Sequence, residues 1–366
     1  MILMDLYKEN PESYYHLRYN VERLFPADIT RNETEACRNF LHNHYIEGLL
    51  RGDLYNQYIE NGKHVHSASL YLLGKALMPC FENELNRVLS SFLPNYDSWH
   101  DHGYDLLYTW YLPSMFHDYA SCVELGTILP NDTERRRSLD FHLGNNNVQY
   151  SLYEDYPYHT SNVPIRFSQD LIKNYFYYRA SAGICEHGIL AGYLFFDHFV
   201  KNFLEKTEDV KFDTQGNGKA WGLTWNTDLI MFAAYAADAV ICHNLWMAGS
   251  ENAEIYKAYG LTPLLWQEHP ENKLSIYEYP LQFMLCLLDT IEPTKRFTSM
   301  QAYEILHKIS IRENTDCKGL TIMWDQLSGK KAKEDLKKWH NGIMGMKDWM
   351  DIECIEIDTH TIQIKW

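Results

Sequence analysis

The sequence lacks paired cysteines, long apolar runs and any excess of positive charge. Its eight cysteines occur singly, without a CxxC pair or the short, even spacing of a disulfide framework or a zinc ribbon. No stretch approaches the ~20 apolar residues that cross a bilayer, and the N-terminus MILMDLYKEN has no basic segment followed by an apolar one. We therefore expect a cytoplasmic protein whose thiols are reduced.

The charge balance limits the partners that the protein can have. The formal net charge is −16 over 366 residues, and a field of this sign repels nucleic-acid backbones and anionic membranes. It also disfavours anionic substrates unless metal ions or local cations offset it. We expect neither duplex nucleic acid nor a membrane as a partner, whereas the sequence leaves a homo-oligomer open.

Apolar residues recur at helical spacing along most of the chain, which predicts a mainly α-helical fold. Pro79 is expected to end or kink the first of these segments and Pro113 to bend the second, because proline removes a backbone donor. The helical patterns cover the segments 66–92, 105–116, 168–179, 187–205, 228–243 and 279–290.

The remaining stretches predict how the chain is divided. Short helices are expected in a layer over residues 1–60, ahead of a core over 61–297. Within that core, the aperiodic Pro-, Asn- and Tyr-rich stretch at 129–165 predicts a surface excursion. Residues 298–366 contain β-branched and alternating segments around a Lys-rich helix at 331–342, which predicts a small α+β module.

Metal-competent side chains stand within or at the ends of these apolar helices. Neutral imidazoles and carboxylates bind divalent metals, and a surplus of histidine shifts the preference from magnesium towards transition metals. We expect one or two ions of Mn, Fe, Zn, Ni or Mg, with Mn or Fe favoured. The candidate ligands are His66, His117, Asp118, His187, His243 and Asp289.

The order of these ligands, together with their sequence contexts over 66–296, resembles the HD superfamily of metal-dependent phosphohydrolases. A His-Ser pair opens a Leu-rich helix that reaches Gly74, and a second apolar helix ends in a His-Asp pair. Asp289 lies in a further helix and is followed seven residues later by Arg296. The resemblance implies a multi-helix HD core.

The resemblance also implies that the ligands divide into two groups with Asp118 shared between them. The first metal ion would be held by His66, His117, Asp118 and Asp289. A second metal ion would be held by Asp118, His187 and His243. A water between the ions would act as the nucleophile, so that no separate strong base is needed.

Hydrolysis of a phosphoester also requires groups that neutralise phosphate and protonate the leaving group. Arg296 has an alternative interpretation, as a structural ion pair with Glu292 four residues earlier. The residues predicted to act in catalysis are Asp118, Arg179, Lys295 and Arg296, with Lys63 as a further nearby cation.

The expected function is that of a metal-dependent phosphohydrolase or phosphodiesterase acting on a nucleotide-like or other small phosphoester. The sequence departs from many HD members after the His-Asp pair, where Tyr119-Ala120-Ser121 stands in place of a small residue, glycine and lysine. Because that lysine is absent, a nucleotide-binding sensor or scaffold stays open. A di-iron oxygenase also stays open, because some HD members hold two irons with the same ligand order.

Three other polar features compete with these ligands. His64 precedes His66 by two residues, but the Ser-Ala-Ser-Leu continuation favours His66 as the ligand. His100-Asp101 comes before its apolar helix rather than after one, and is interpreted as a loop pair. Asp197-His198 lies in the middle of a helical pattern and is interpreted as a solvated helix face.

Overall fold

The fold is described over most of the chain from residue 63 onward. The computed structural model describes Leu3 and the ranges 63–96, 106–121, 133–153, 162–209, 218–220, 223–225, 227–297, 302–314 and 318–366. Eleven α-helices and two antiparallel sheets lie in these ranges, which confirms the mainly α-helical prediction. The predictions for the layer at 1–60 beyond Leu3, for His100-Asp101 and for the side chain of His64 lie outside what is described.

The helices begin and end close to the predicted breaks. Pro79 lies in a 3-10 turn that separates the first two helices, and Pro113 lies inside the third. Ser168 caps the fifth helix by accepting a hydrogen bond from the Leu171 backbone N–H. In chain order the helices are α1 (Lys63–Leu77), α2 (Glu82–Phe92), α3 (Leu106–Phe116), α4 (Leu139–Asn145), α5 (Gln169–Ser181), α6 (His187–Asp209), α7 (Thr227–Cys242), α8 (Ala253–Ala258), α9 (Pro280–Ile291), α10 (Ala302–Leu306) and α11 (Lys330–Gly345).

Two helices form the centre of the core. Every residue of α9 is buried, as is every residue of α7 after Thr227, so each helix packs on all of its faces. α7 contacts α3, α6 and α9. None of the helices in the described ranges is both long and apolar enough to cross a bilayer. The C-terminal ends of α7 and α9 place His243 and Asp289 inside the core.

A close approach between α1 and α3 depends on Gly74. A Cβ at this position would lie 2.1 Å from the indole Nε1 of Trp110. The same indole nitrogen donates a hydrogen bond of 3.0 Å to the Tyr71 carbonyl. Glycine is therefore required where the two helices meet, and this packing holds His66 of α1 against His117, which follows α3.

The strands lie in a small hairpin and in the C-terminal segment. They are β1 (Gly218–Ala220), β2 (Leu223–Trp225), β3 (Ile309–Glu313), β4 (Gly319–Trp324), β5 (Glu353–Asp358) and β6 (Thr361–Lys365). β1 pairs with β2, and the other four form an antiparallel sheet in the order β3-β4-β6-β5. The sheet and α11 confirm the predicted strands around a Lys-rich helix, although β3 itself was not predicted.

The C-terminal sheet and α11 pack directly on the helical core. The Trp339 indole of α11 donates a hydrogen bond of 3.2 Å to the Ile291 carbonyl at the end of α9. The ring of Trp366, just after β6, meets the Phe283 ring of α9 edge-on, with 5.6 Å between the ring centres. The C-terminal segment is therefore joined to the helix that carries Asp289.

The described part of the excursion contains α4 and packs against the middle of α6. The Asp197 carboxylate accepts hydrogen bonds of 2.7 and 2.8 Å from the backbone N–H groups of Gln149 and Tyr150. Asp197 is 1% exposed, so the interpretation of this residue as part of a solvated helix face is wrong. Helical spacing does not reveal donors that come from a distant loop, and such donors are what allow a carboxylate to be buried.

Replacing Gly74 by alanine is expected to lower the free energy of unfolding by about 1–3 kcal/mol, because the added Cβ overpacks against Trp110. Gly342→Ala is the matched control, since a Cβ at this helical position meets nothing within 4 Å. The control is expected to keep or raise stability, by up to about 1 kcal/mol. Denaturant unfolding followed by circular dichroism measures both variants, and equal stabilities would contradict the close approach.

Candidate metal centre

The predicted ligand residues come from five separate parts of the core. Their side chains meet in two groups that share Asp118. They are His66 in the first turn of α1, His117 and Asp118 directly after α3, His187 at the start of α6, His243 directly after α7, and Asp289 near the end of α9.

The first group joins two histidines and two carboxylates. The Nε2 atoms of His66 and His117 lie 3.2 Å apart, and Nε2 of His66 lies 2.9 Å from Oδ1 of Asp289. Oδ2 of Asp118 lies 3.5 Å from Nε2 of His117 and 3.9 Å from Nε2 of His66. Two ring nitrogens and two carboxylate oxygens therefore face one another.

The hydrogen bonds of the Nδ1 atoms of these two histidines determine whether their Nε2 atoms carry a proton or a lone pair. Nδ1 of His117 lies 2.9 Å from the Ser114 carbonyl, which can only accept, so this nitrogen carries the proton. Nδ1 of His66 lies 2.6 Å from the Glu292 carboxylate and donates to it in the same way. Both Nε2 atoms then direct lone pairs at each other and at the carboxylates. Facing acceptors of this kind fit a divalent cation.

The second group consists of Asp118, His187 and His243, whose ligand atoms all lie within 4.8 Å of one another. Oδ1 of Asp118 lies 3.0 Å from Nε2 of His187, whereas Oδ2 faces the first group. Nδ1 of His243 lies 2.6 Å from the Val240 carbonyl, so it carries the proton and leaves Nε2 as the lone-pair atom. Each oxygen of Asp118 thus serves a different group.

Gly188 provides the space that His243 occupies. A Cβ on Gly188 would lie 2.6 Å from Cε1 of His243 and 3.2 Å from the Val240 carbonyl oxygen. Because Gly188 directly follows His187, two ligands of the second group meet where a larger residue would push them apart. The sequence shows this glycine beside a predicted ligand, but it does not show what the glycine faces.

The electrostatics of the site favour the protonation states that bind metal. Burial opposes the ionisation of Asp118 and Asp289, but neighbouring positive charges hold the pKa of both carboxyls well below their ordinary range. Burial lowers the pKa of His117, and it lowers the pKa of His243 to about 3. Ionised carboxylates and neutral imidazoles are the forms in which these side chains act as ligands.

His66 differs from the other buried histidines. Burial and the charge of Lys295 act to lower its pKa, but hydrogen bonds to Asp289 and Glu292 raise the pKa of His66 above its ordinary value. A proton on Nε2 can therefore take the place of a metal ion between His66 and Asp289. A metal ion bound here would compete with this proton, so we expect acidification to weaken metal binding.

The burial of the side chains shows where the site is open to solvent. The side chains of His66, His117 and Asp118 are at most 2% exposed. Those of His187 and Lys63 are 18% and 25% exposed. The two histidines of the first group thus form the closed wall of the site, and solvent reaches it from the side of His187 and Lys63.

Two of the predicted cations contact ligand carboxylates. Nζ of Lys63 lies 2.9 Å from Oδ2 of Asp118, and Nζ of Lys295 contacts Oδ1 of Asp289. The Lys295 side chain is 19% exposed, so it also stands where the site meets solvent. Both lysines are placed to meet an anion that approaches the metal groups.

The two predicted arginines are not in contact with the ligands. Nε of Arg179 donates a hydrogen bond of 3.0 Å to Glu186, the residue that precedes a ligand of the second group. Arg296 is exposed, and among the described residues no ion pair links it to a metal ligand or to Glu292. The structural pairing of Arg296 with Glu292 is therefore wrong: the buried Glu292 carboxylate faces His66 instead.

Glu292 is a residue of the site that the ligand order does not reveal. Its side chain is 0% exposed and contacts Nδ1 of His66. The available signal is a carboxylate three residues after Asp289, a spacing that places two side chains on the same face of a helix end. A metal-ligating histidine commonly donates its second ring N–H to such a carboxylate.

No family model, no curated protein and no solved structure matches the chain. The chemical assignment of the site therefore rests on its ligand atoms alone. Four imidazoles and two carboxylates, with one carboxylate shared, suit one or two ions such as Mn, Fe or Zn better than Mg, which prefers oxygen ligands.

Asp118→Asn is expected to abolish tight binding at both groups, because each group loses a charged oxygen, whereas His187→Ala is expected to remove only one metal equivalent. His269→Ala, which changes a partly exposed histidine that pairs with Glu271, is the control. Elemental analysis of metal-stripped protein after loading with Mn²⁺ and gel filtration counts the bound ions. Equal losses in the Asp118 and His187 variants would contradict the shared carboxylate.

Proposed function

We propose that this chain is an HD-type metal-dependent phosphohydrolase or phosphodiesterase that acts on a nucleotide-like or other small phosphoester. The observation that carries the proposal is the pair of metal groups sharing Asp118, because adjacent ions suit the displacement of a phosphoryl group. The HD order of ligands supports the same class. On this proposal, 61–297 is the HD core and 298–366 an added α+β module, acting in the cytoplasm.

Bound divalent ions would supply Lewis acidity for the phosphoryl group and a nucleophilic water at neutral pH. The protein's own residues perform the remaining tasks. Asp118 holds the two groups in register through its two oxygens. His66 and His117 close the inner wall, and His187 stands on the side from which a substrate enters. The protein thus provides a fixed, one-sided pocket, which is how an enzyme favours one orientation of attack.

Lys63 and Lys295 take the place of the lysine that many HD members carry after the His-Asp pair. Each combines contact with a ligand carboxylate and partial exposure. A chain with a net charge of −16 needs such local cations before an anionic substrate can approach. Arg179, which pairs with Glu186, and the exposed Arg296 are more distant candidates for the same role.

The Mn²⁺-loaded protein is expected to release phosphate or an alcohol from members of a panel of phosphomonoesters, phosphodiesters and nucleotides. Asp118→Ala is expected to abolish this turnover, because it removes the ligand common to both metal groups. Colorimetric phosphate assay and chromatography of the products measure the reaction, with His269→Ala as the control that keeps full activity.

Other outcomes of that experiment identify the rival functions. Two irons in protein purified without oxygen, combined with no hydrolysis of the panel, would indicate a di-iron oxygenase. Nucleotide binding without turnover in the metal-loaded protein would indicate a sensor or scaffold. Turnover that survives Asp118→Ala would place the chemistry elsewhere and overturn the proposal.

Lys63→Met and Lys295→Met are each expected to raise KM by about 10–100-fold, because each removes a charge-assisted contact worth about 1.5–3 kcal/mol. The metal content is expected to stay at the wild-type level, since neither lysine is a ligand. Lys330→Met is the control, because the Lys330 side chain is 92% exposed. Steady-state kinetics on the best substrate of the panel measure KM. An unchanged KM in both variants would show that the lysines do not contact the substrate.

A further inference from the structure

Glu292 is a buried carboxylate that directly follows α9, beside the first metal group. Its side chain is 0% exposed, and among the described residues no lysine or arginine lies within ion-pair distance. An ionised carboxylate in such a place is unstable unless hydrogen bonds compensate for the water that it has lost. The hydrogen bonds of Glu292 therefore indicate its role.

Both oxygens of Glu292 are held by donors from three residues. Oε2 lies 2.6 Å from Nδ1 of His66 and accepts a hydrogen bond of 2.7 Å from the Thr294 hydroxyl. Oε1 accepts a hydrogen bond of 2.5 Å from the Ser69 hydroxyl. The backbone N–H of Thr294 lies 3.1 and 3.0 Å from Oε1 and Oε2. Ser69 and Thr294 therefore hold the carboxylate in place beside His66.

The end of α9 contacts both nitrogens of the His66 ring. Asp289 lies 2.9 Å from Nε2, and Glu292 lies 2.6 Å from Nδ1. The two carboxylates are three residues apart on one helix end, so their spacing is set by a single rigid element. A ring held at both nitrogens can neither rotate nor exchange the roles of Nδ1 and Nε2.

We propose that Glu292 is the positioning residue of the first metal group. It keeps the proton on Nδ1 of His66, holds the plane of the ring, and so presents the Nε2 lone pair to the metal ion. A carboxylate partner also makes the imidazole a stronger ligand. Ser69 and Thr294 act through Glu292 by holding its oxygens. This inference rests on the proposed metal site and deepens it.

Glu292→Gln tests the inference with little change in volume. The amide can keep its oxygen on His66 and turn its NH₂ towards the Ser69 hydroxyl, so the variant removes mainly the charge. It is made in the His187→Ala background, which isolates the first group. Titration of the metal-stripped full chain with Zn²⁺ in a calorimeter is expected to show affinity ~10–100-fold weaker than in the background alone.

A second measurement separates positioning from a structural role. In ¹⁵N spectra of histidine-labelled, Zn²⁺-loaded protein, the His66 ring is expected to show a protonated Nδ1 and a metal-bound Nε2. In Glu292→Met, which leaves no acceptor for the Nδ1 proton, the signal is expected to broaden or to split between the two nitrogens. A side chain that only stabilised the fold would leave this signature unchanged.

Asp238→Asn is the matched control, because it makes the same chemical change in a buried carboxylate outside both metal groups. Asp238 accepts a hydrogen bond of 3.3 Å from the Arg166 backbone N–H. Its substitution is expected to alter the free energy of unfolding and to leave Zn²⁺ affinity unchanged. Zn²⁺ affinity that fell equally in both variants would show general destabilisation and overturn the positioning role.

The remaining outcomes of these experiments also support or overturn the inference. Wild-type affinity in a folded Glu292→Gln overturns the inference and leaves the proposed function standing. Weakened Zn²⁺ binding in a chain that hydrolyses no phosphoester supports Glu292 and overturns the proposed function alone. If Glu292→Gln does not fold, Glu292→Asp retains the charge with a shorter reach; weaker binding in that variant supports the inference, and unchanged binding contradicts it.

Discussion

The buried charge of Asp118 is the constraint on which the rest of the site depends. This carboxylate is 1% exposed, and an ionised group removed from water needs positive charge or donors around it. Its neighbours Lys63 and His187 begin α1 and α6, and Asp118 itself directly follows α3. The ends of three helices must therefore meet at one point, and the apolar packing of α7 and α9 supplies the frame in which they do so.

The helices could be predicted from the sequence, and the candidate ligands could be located in it, because both are local features. Helical periodicity locates the end of an apolar helix to within a few residues, and a histidine or aspartate at such an end is visible directly. His117 after α3 and His243 after α7 are cases of this kind. Lys295 was within reach for the same reason, since it follows Asp289 by six residues on the same stretch of chain.

Features that depend on contacts between distant segments could not be predicted. Glu292 and His66 are 226 residues apart, and Asp197 and Gln149 are 48 apart. The periodicity of one helix contains no record of the side chain that another segment places against it. For this reason helical spacing predicts a solvated carboxylate at Asp197, where the structure has a buried one, and the sequence presents Glu292 only as a neighbour of Arg296. Strand β3 is a different case: it has only five residues, and its partner β4 is close by in the sequence.

The indole of Trp339 in α11 joins the C-terminal segment to the helix end that carries Asp289. Its hydrogen bond to the Ile291 carbonyl falls between Asp289 and Glu292, the two residues of this helix end that contact His66. If metal binding shifts this helix terminus, metal occupancy and the packing of α11 are thermodynamically linked through it. Linkage of this kind is reciprocal, so any molecule that shifted α11 on binding would change metal affinity by the same factor by which the metal changes its own binding.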